Sequence, residues 1–497
     1  MSGLTSFVRR LWPGQVQPRG RVTHSDALDV PMVELGDGDV ITLRDLCAGT
    51  LITGQPGSGK SSGPAAHLAL AMLARGMGGL VLCAKPNEAE KFQGYCEMVG
   101  RAAEVIRFAP DAPLARINLL DVELRRSGQG GGYVQSAIGL FEHLTEISAR
   151  GDRGAGHQDP FWQRSVVEAM TMAAIVLKEA GECLSLVAID GVLRSLPVRQ
   201  DGIDQFEDPA WRASSFCFAC IDRALEAVMS EGERRNLERA IVYLLEQAPG
   251  MPEKTWSSVL ATFRGLALPF MLEPFATTFG SDTELHFSDC WERRRILIVD
   301  TPLKTYGEVG RLAGALMKYG FMQAVERRVI GPDSPACFLF CDEYQEFIAK
   351  SDAAFLATAR ESRCCSVLVT QNISNLYMRV AAPDPRPIVD SLLGNVTLKL
   401  FCSNSDAVTN QWASQLIAQS WQSKSQASLN LGAQTSSGTT TSSELTWEVP
   451  PITFYQLRQG GPPAWVVEAI AFAGGRPFHV TGKGYRSVAF GQNLRKE

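Results

Sequence analysis

The segment Gly54-Gln55-Pro56-Gly57-Ser58-Gly59-Lys60-Ser61 constrains this chain more than any other feature. Its Gly-x4-Gly-Lys-Ser spacing places glycines where a backbone must turn its N–H groups inward around an anion without Cβ collisions. Lys60 supplies positive charge for the β and γ phosphates of a nucleotide, and the Ser61 hydroxyl supplies a ligand for Mg2+. The apolar run Leu51–Thr53 leads into the segment. Small and apolar residues from Ser62 to Ala74 predict a helix after it, tolerant of Pro64 because proline fits the first turns. Such a helix directs the positive end of its dipole at the same anions. A merely structural turn explains the glycines but leaves Lys60-Ser61 without a task. The expectation is a site at Gly54–Ser62 that takes ATP with Mg2+.

The surrounding pattern alternates. Strand-like runs at Leu80–Ala84 and Val105–Phe108 flank a helical stretch at Asn87–Val99, and Pro31–Leu35 with Val40–Leu43 form a small β lead-in. Strands are again expected at Arg295–Val299, Cys337–Cys341, Ser366–Thr370 and Val396–Phe401, with helices at Val309–Arg327, Ala353–Ala359 and Ser405–Ile417. Apolar strands separated by helices predict an α/β layer with a mainly parallel sheet. Between about Gly130 and Phe279 strand signals are weak. There Tyr133–Ser148, Trp162–Ala180, Ser214–Met229, Arg234–Glu246 and Ser257–Phe270 read as helices with apolar faces. The economical division is a lead-in at 1–48, a first part of the nucleotide domain at 49–129, an all-α insertion at 130–279, a second part at 280–475 and a tail at 476–497. Ser420–Ser443, rich in Ser, Gln and Thr, is expected to be a mobile loop in preference to a hairpin.

Hydrolysis needs groups that hold metal and direct water. The strand Cys337–Cys341 delivers Asp342-Glu343 to the carboxyl edge of the sheet, where Asp342 can support Mg2+ and Glu343 can orient or deprotonate water. Gln371 ends the next strand and can sense a terminal phosphate. Arg360 and Arg363 lie on the approach to that strand, and either can enter a neighbouring subunit's site, Arg360 being preferred. Asp300 ends another strand, as a support for the site or as a turn cap.

The 497 residues carry 48 Lys and Arg against 53 Asp and Glu, a formal charge of −5, so the surface is not basic throughout. A local channel for DNA remains compatible with that total. The basic runs are Arg125-Arg126, Arg234-Arg235, Arg293–Arg295 and Arg327-Arg328. The opening Met1–Gly14 lacks the apolar core of a signal peptide, and the apolar stretch Ala65–Cys83 is broken by Arg75 and glycines. A cytoplasmic protein is expected, docked at most peripherally at the inner membrane through a partner. Cys217-Phe-Ala-Cys220 has redox or half-zinc spacing, but no second pair follows, and helix packing is the preferred account.

Taken in order, Gly54–Ser62, Arg295–Gly310, Phe338–Phe347, Ala359–Leu376 and Leu392–Leu416, with Gly394-Asn395 and Asn404-Ser405-Asp406, resemble the VirD4/TraG/TraD-type coupling proteins of conjugation and type IV secretion. These belong to the FtsK/HerA-like P-loop motors. The resemblance implies a RecA-like P-loop NTPase core with an inserted all-α domain, assembled as a ring that is commonly hexameric. It further implies Walker A roles for Lys60 and Ser61, Walker B roles for Asp342 and Glu343, a sensor role for Gln371 and a trans-acting role for Arg360. DNA, relaxosome proteins and secretion-channel proteins are the implied partners. The family's usual membrane helices do not precede this P-loop. That leaves a soluble coupling protein, a chain docked on a separate membrane subunit, or a relative from another mobile-element or defence system. An ATP-gated receptor for protein cargo is the competing reading of the same residues, and a P-loop protein that binds nucleotide without turnover is a third.

Overall fold

The computed structural model describes residues 28–111, 115–128, 130–148, 160–198, 204–280, 283–380, 382–430 and 436–493, with side chains at 160 and 424–440 left aside. The opening segment Met1–Gly14 lies outside the described residues. A nine-stranded sheet organises the chain. In chain order its strands are β3 (Thr50–Thr53), β4 (Gly78–Cys83), β5 (Val105–Phe108), β6 (Ile296–Asp300), β7 (Cys337–Cys341), β8 (Cys364–Thr370), β9 (Leu398–Cys402), β12 (Val466–Ala473) and β13 (Tyr485–Gly491). They lie side by side in the order β13-β12-β9-β3-β8-β7-β4-β6-β5. From β9 to β5 every pairing is parallel, and β12 and β13 add an antiparallel edge beside β9. The lead-in β1 (Pro31–Gly36) and β2 (Asp39–Thr42) form a separate antiparallel pair.

Both faces of the sheet are covered, which is why its strands are nearly unbroken apolar runs. Successive residues of a strand point to opposite faces. Accordingly Leu51, Leu80, Leu82, Leu297, Val299, Leu339 and Cys341 belong to one hydrophobic cluster. Their neighbours Ile52, Val81, Cys83, Ile296, Ile298, Phe338 and Phe340 belong to a second, together with the helix Pro64–Ala74. Between β5 and β6 the described elements are all helical, and Leu140, Phe141, Phe263 and Phe270 of that region join the first cluster. The architecture is α/β, with a mostly parallel sheet and a helical insertion.

Several expectations shift. The helix after the P-loop begins at Pro64, two residues late, because Gly63, the residue before the proline, is held out of helical backbone at φ −100° and ψ −104°. Ala65 N donates to the Lys60 carbonyl at 3.1 Å, and 60–63 form turns. Ser214–Met229 divides into helices at Pro209–Ser214 and Phe216–Glu226, where the Ser215 hydroxyl caps the second. Cys217 and Cys220 lie buried on that second helix, and burial pushes the Cys217 thiol up to about 12. The loop expected at Ser420–Ser443 is corrected to a hairpin. Strands β10 (Gln419–Asn430) and β11 (Ser436–Trp447) pair antiparallel from Gln419↔Trp447 to Asn430↔Ser436, apart from the main sheet. Low hydrophobicity hid it: the run is rich in Ser, Gln and Thr, and even its large apolar residues Trp421 and Leu445 are exposed, so no apolar alternation marks the strand period.

Candidate active site

Parallel register aligns the carboxyl ends of the strands, and the site residues follow from that alignment. Thr53 sits opposite Thr370 and Phe401, Cys341 opposite Leu368 and Leu82, and Cys83 opposite Asp300. The residues that follow therefore emerge along one edge: Gly54 after β3, Gln371 after β8, Asp342-Glu343 after β7, Lys85 after β4 and Ser403 after β9. Strand β8 lies between the P-loop strand and β7, which places the Asp342-Glu343 pair about 10 Å across the sheet from Gly54.

The loop is held by backbone bonds from its neighbours. Gly54 N donates to the Gln371 carbonyl at 3.1 Å and Gln55 N to the Ser403 carbonyl at 2.9 Å. The Asn404 side chain donates to the same Gln371 carbonyl at 3.0 Å. From the far end of the chain, Gly460 N donates to the Ser58 carbonyl at 3.3 Å. The Gln492 amide donates to the Ser62 hydroxyl at 2.6 Å and accepts from Gly461 N at 2.5 Å. Gly57 and Gly59 have φ of 78° and 86°, and a Cβ on Gly59 would sit 2.4 Å from Val467 Cγ2, so only glycine fits there.

Within this frame Lys60 is 7% exposed, and no hydrogen-bond or ion-pair partner reaches its ammonium among the described residues. The Ser58 hydroxyl is buried and equally unpartnered. Among the described residues the Asp342 carboxylate accepts only from the Glu343 N–H, at 3.0 Å, leaving the rest of it open. A buried cation, an unsatisfied hydroxyl and an open carboxylate at one edge fit a nucleotide triphosphate with a divalent ion. Ser61 turns its carbonyl to Lys91 Nζ at 3.2 Å, and among the described residues no hydrogen bond engages its hydroxyl.

Glu343 is the most heavily engaged residue. Its backbone is left-handed, φ 51°, and its carboxylate is buried. One oxygen accepts from Lys85 Nζ; the other accepts from Gln345 Nε2 and, at 3.2 Å, from Gln371 Nε2. Burial pushes its pKa up, but the Lys85 bond and charge, the Gln345 bond and the charge of Lys60 outweigh that and hold it below the usual range. Glu88 accepts from Ala84 N and Lys85 N at 2.8 and 2.9 Å, and burial, then repulsion from Asp342, raises it to about 7.

The other arginines and acids separate. Asp300 is buried and bonded to Arg107 Nε at 2.8 Å. Arg360 and Arg363 precede β8, so they stand at the opposite edge of the sheet from Gln371. Arg363 is tied to the carbonyls of Pro332 and Ser334 at 3.1 and 2.6 Å, whereas Arg360 is exposed. The basic runs are mostly engaged internally. Arg125 pairs with Asp121, Arg126 and Arg327 with Glu123, Arg235 with Glu231, and Arg293 with Asp289.

Sequence reasoning missed Lys85, Gln345, Glu88 and Gln492. Lys85 follows the apolar run Leu80–Ala84 and carried the same strand-end signal as Asp342 and Gln371. Gln492 had no local signal.

Comparison with known structures places this architecture. The plasmid coupling protein TrwB in complex with the non-hydrolysable GTP analogue GDPNP matches with a TM-score of 0.56 and 14% identity, over 92% of this chain and 89% of that one. The chain has the fold of TrwB. The unbound monoclinic form of the bacterial conjugative coupling protein TrwBdeltaN70 gives 0.55 and 15% over 87% and 84%, and TrwB with ADP and Mg2+ gives 0.54 and 14% over 89% and 86%. No family model matches the sequence, and no curated protein matches it significantly. The likeness to TrwB is one of architecture, and it agrees with the RecA-like core and all-α insertion that the resemblance implied. Among the described residues no helix is long and apolar enough to cross a membrane.

Proposed function

We propose that this chain is an ATP-hydrolysing motor of the coupling-protein kind, which moves DNA or nucleoprotein in conjugative transfer or type IV secretion. The observation that carries the reading is the unpartnered ammonium of the buried residue Lys60 on the same sheet edge as the open Asp342 carboxylate and Glu343. The complexes of TrwB with GDPNP and with ADP and Mg2+ support it as analogy. Lys60 and the N–H groups of Gly54–Ser62 bind the phosphates. Ser61 and Asp342 would hold magnesium, which neutralises phosphate charge during transfer. Glu343 orients the attacking water, and Gln371, bonded both to Glu343 and through its carbonyl to Gly54, links the state of the terminal phosphate to the P-loop. Arg360 completes the site of the next subunit in a homo-oligomeric ring. The ring works in the cytoplasm, against a membrane or relaxosome partner.

A second reading rests on the basic runs. Because most of them are neutralised within the chain, an ATP-gated receptor for protein cargo accounts for the surface as well as a DNA channel does. ATP turnover of wild type, Lys60→Ala and Glu343→Gln, each with and without mixed-sequence DNA at varied salt, tests both. Loss of turnover in the two variants is expected, with ATP retained by Glu343→Gln. Normal hydrolysis by Glu343→Gln refutes the assigned water-orienting role. DNA stimulation that falls with salt supports the translocase, and its absence turns the assignment to protein cargo.

A further inference from the structure

Glu343 is occupied by three donors, and these differ in how freely they can leave. Gln345 is 4% exposed, and the Thr370 hydroxyl donates to its amide oxygen at 2.8 Å. Gln371 is fixed through its own backbone, which accepts from Gly54 and Asn404. Of the three donors, Lys85 has a side chain 51% exposed, on a backbone pinned by the Glu88 carboxylate. It crosses from β4 to the adjacent β7, where Leu82 and Cys341 are in register. Its charge and that of Lys60 both act on Glu343, so two ammonium groups border the same space. Lys60 has no bonded partner among the described residues, and Lys85 is held by the carboxylate that the proposed hydrolysis requires.

A terminal phosphate carries more negative charge than a carboxylate and accepts more hydrogen bonds, so it competes for the exposed ammonium. Water cannot share the Lys85-bound oxygen on equal terms while that ion pair stands. Building on the ATPase reading above, we infer that Lys85 is a positioning residue that clamps Glu343 in the nucleotide-free site and exchanges it for the terminal phosphate of a bound nucleoside triphosphate, freeing Glu343 for water. A diphosphate lacks the group that draws Lys85 away, and the clamp stays closed. The exchange makes and breaks only ion pairs, with no proton or covalent bond transferred.

Equilibrium binding of ADP and of a non-hydrolysable ATP analogue to the full chain tests this by a double-mutant cycle. Lys85→Gln is expected to weaken analogue binding roughly tenfold and to leave ADP binding unchanged. Glu343→Gln loosens the clamp, so it tightens analogue binding, and this gain disappears in the double variant. Lys85→Arg keeps the preference for the triphosphate. Equal losses for both nucleotides, or additive effects across the cycle, overturn the inference and give Lys85 a merely structural role. If wild type hydrolyses ATP while the cycle is additive, only the role of Lys85 falls. If wild type binds neither nucleotide, the ATPase reading falls as well.

Discussion

Lys60 is a buried residue whose ammonium has no hydrogen-bond or ion-pair partner among the described residues, and a cation left without a partner in such a setting costs free energy. Replacing it with Met removes that cost together with the proposed phosphate contact. The nucleotide-free Lys60→Met protein is expected to melt at or above the wild-type Tm. Wild type should gain stability on adding ATP and Mg2+, by about 2.7 kcal/mol at a ligand concentration near one hundred times Kd, while the variant gains none. Thermal unfolding with and without ATP measures both, and an equal ATP-induced rise in the variant would remove Lys60 from the site. Lys60 and Ser61 were legible from the glycine spacing of Gly54–Ser61, and Asp342, Glu343 and Gln371 because they end apolar runs, which in a parallel sheet emerge on one edge. Their contacts were not. Whether Lys85 reaches Glu343 depends on β4 lying beside β7, a fact of strand order that no local pattern carries.

The strands themselves were readable because burial on both faces writes unbroken apolar runs, as in Cys337–Cys341. Where burial is slight the pattern fails, as in β10 and β11. Strand β9 holds a different exception. Lys399 is 4% exposed, its ammonium donates to the Val396 carbonyl, and no carboxylate pairs with it among the described residues. Burial lowers its pKa to about 8. The folded chain therefore binds this proton less tightly than the unfolded chain. Between about pH 8 and the ordinary lysine value near 10.5, stability should rise with pH. Lys399→Met should be more stable than wild type at pH 7 by about 1–3 kcal/mol, with the gap closing toward pH 10. Denaturant titrations of both proteins at the two pH values check the sign, and a constant gap would show that the lysine does not change its charge.

Across the whole molecule the two candidate arginines part company. Arg363 is spent on Pro332 and Ser334 of its own chain, and Arg360 is exposed at the sheet edge remote from its own P-loop. The ring proposed above would give such a residue to the neighbour's site. Arg360→Ala is expected to bind nucleotide normally and to lose turnover by about 10³-fold. Mixing it with inactive Lys60→Ala should restore part of the activity, because hybrid interfaces pair an intact P-loop with an intact arginine. Failure of the mixture to exceed either variant would place the arginine's action elsewhere.

The position of the P-loop strand also sets a timetable for synthesis. Gly54–Ser62 leaves the ribosome early, but its flanking strands β8 and β9 are made much later, and Gly460 and Gln492, which brace its outer side, come later still. At about 5–20 residues per second, a nascent chain waits tens of seconds with its phosphate loop unsupported. Products cut short before Gly460 and Gln492 therefore lack the bonds that brace Ser58 and Ser62.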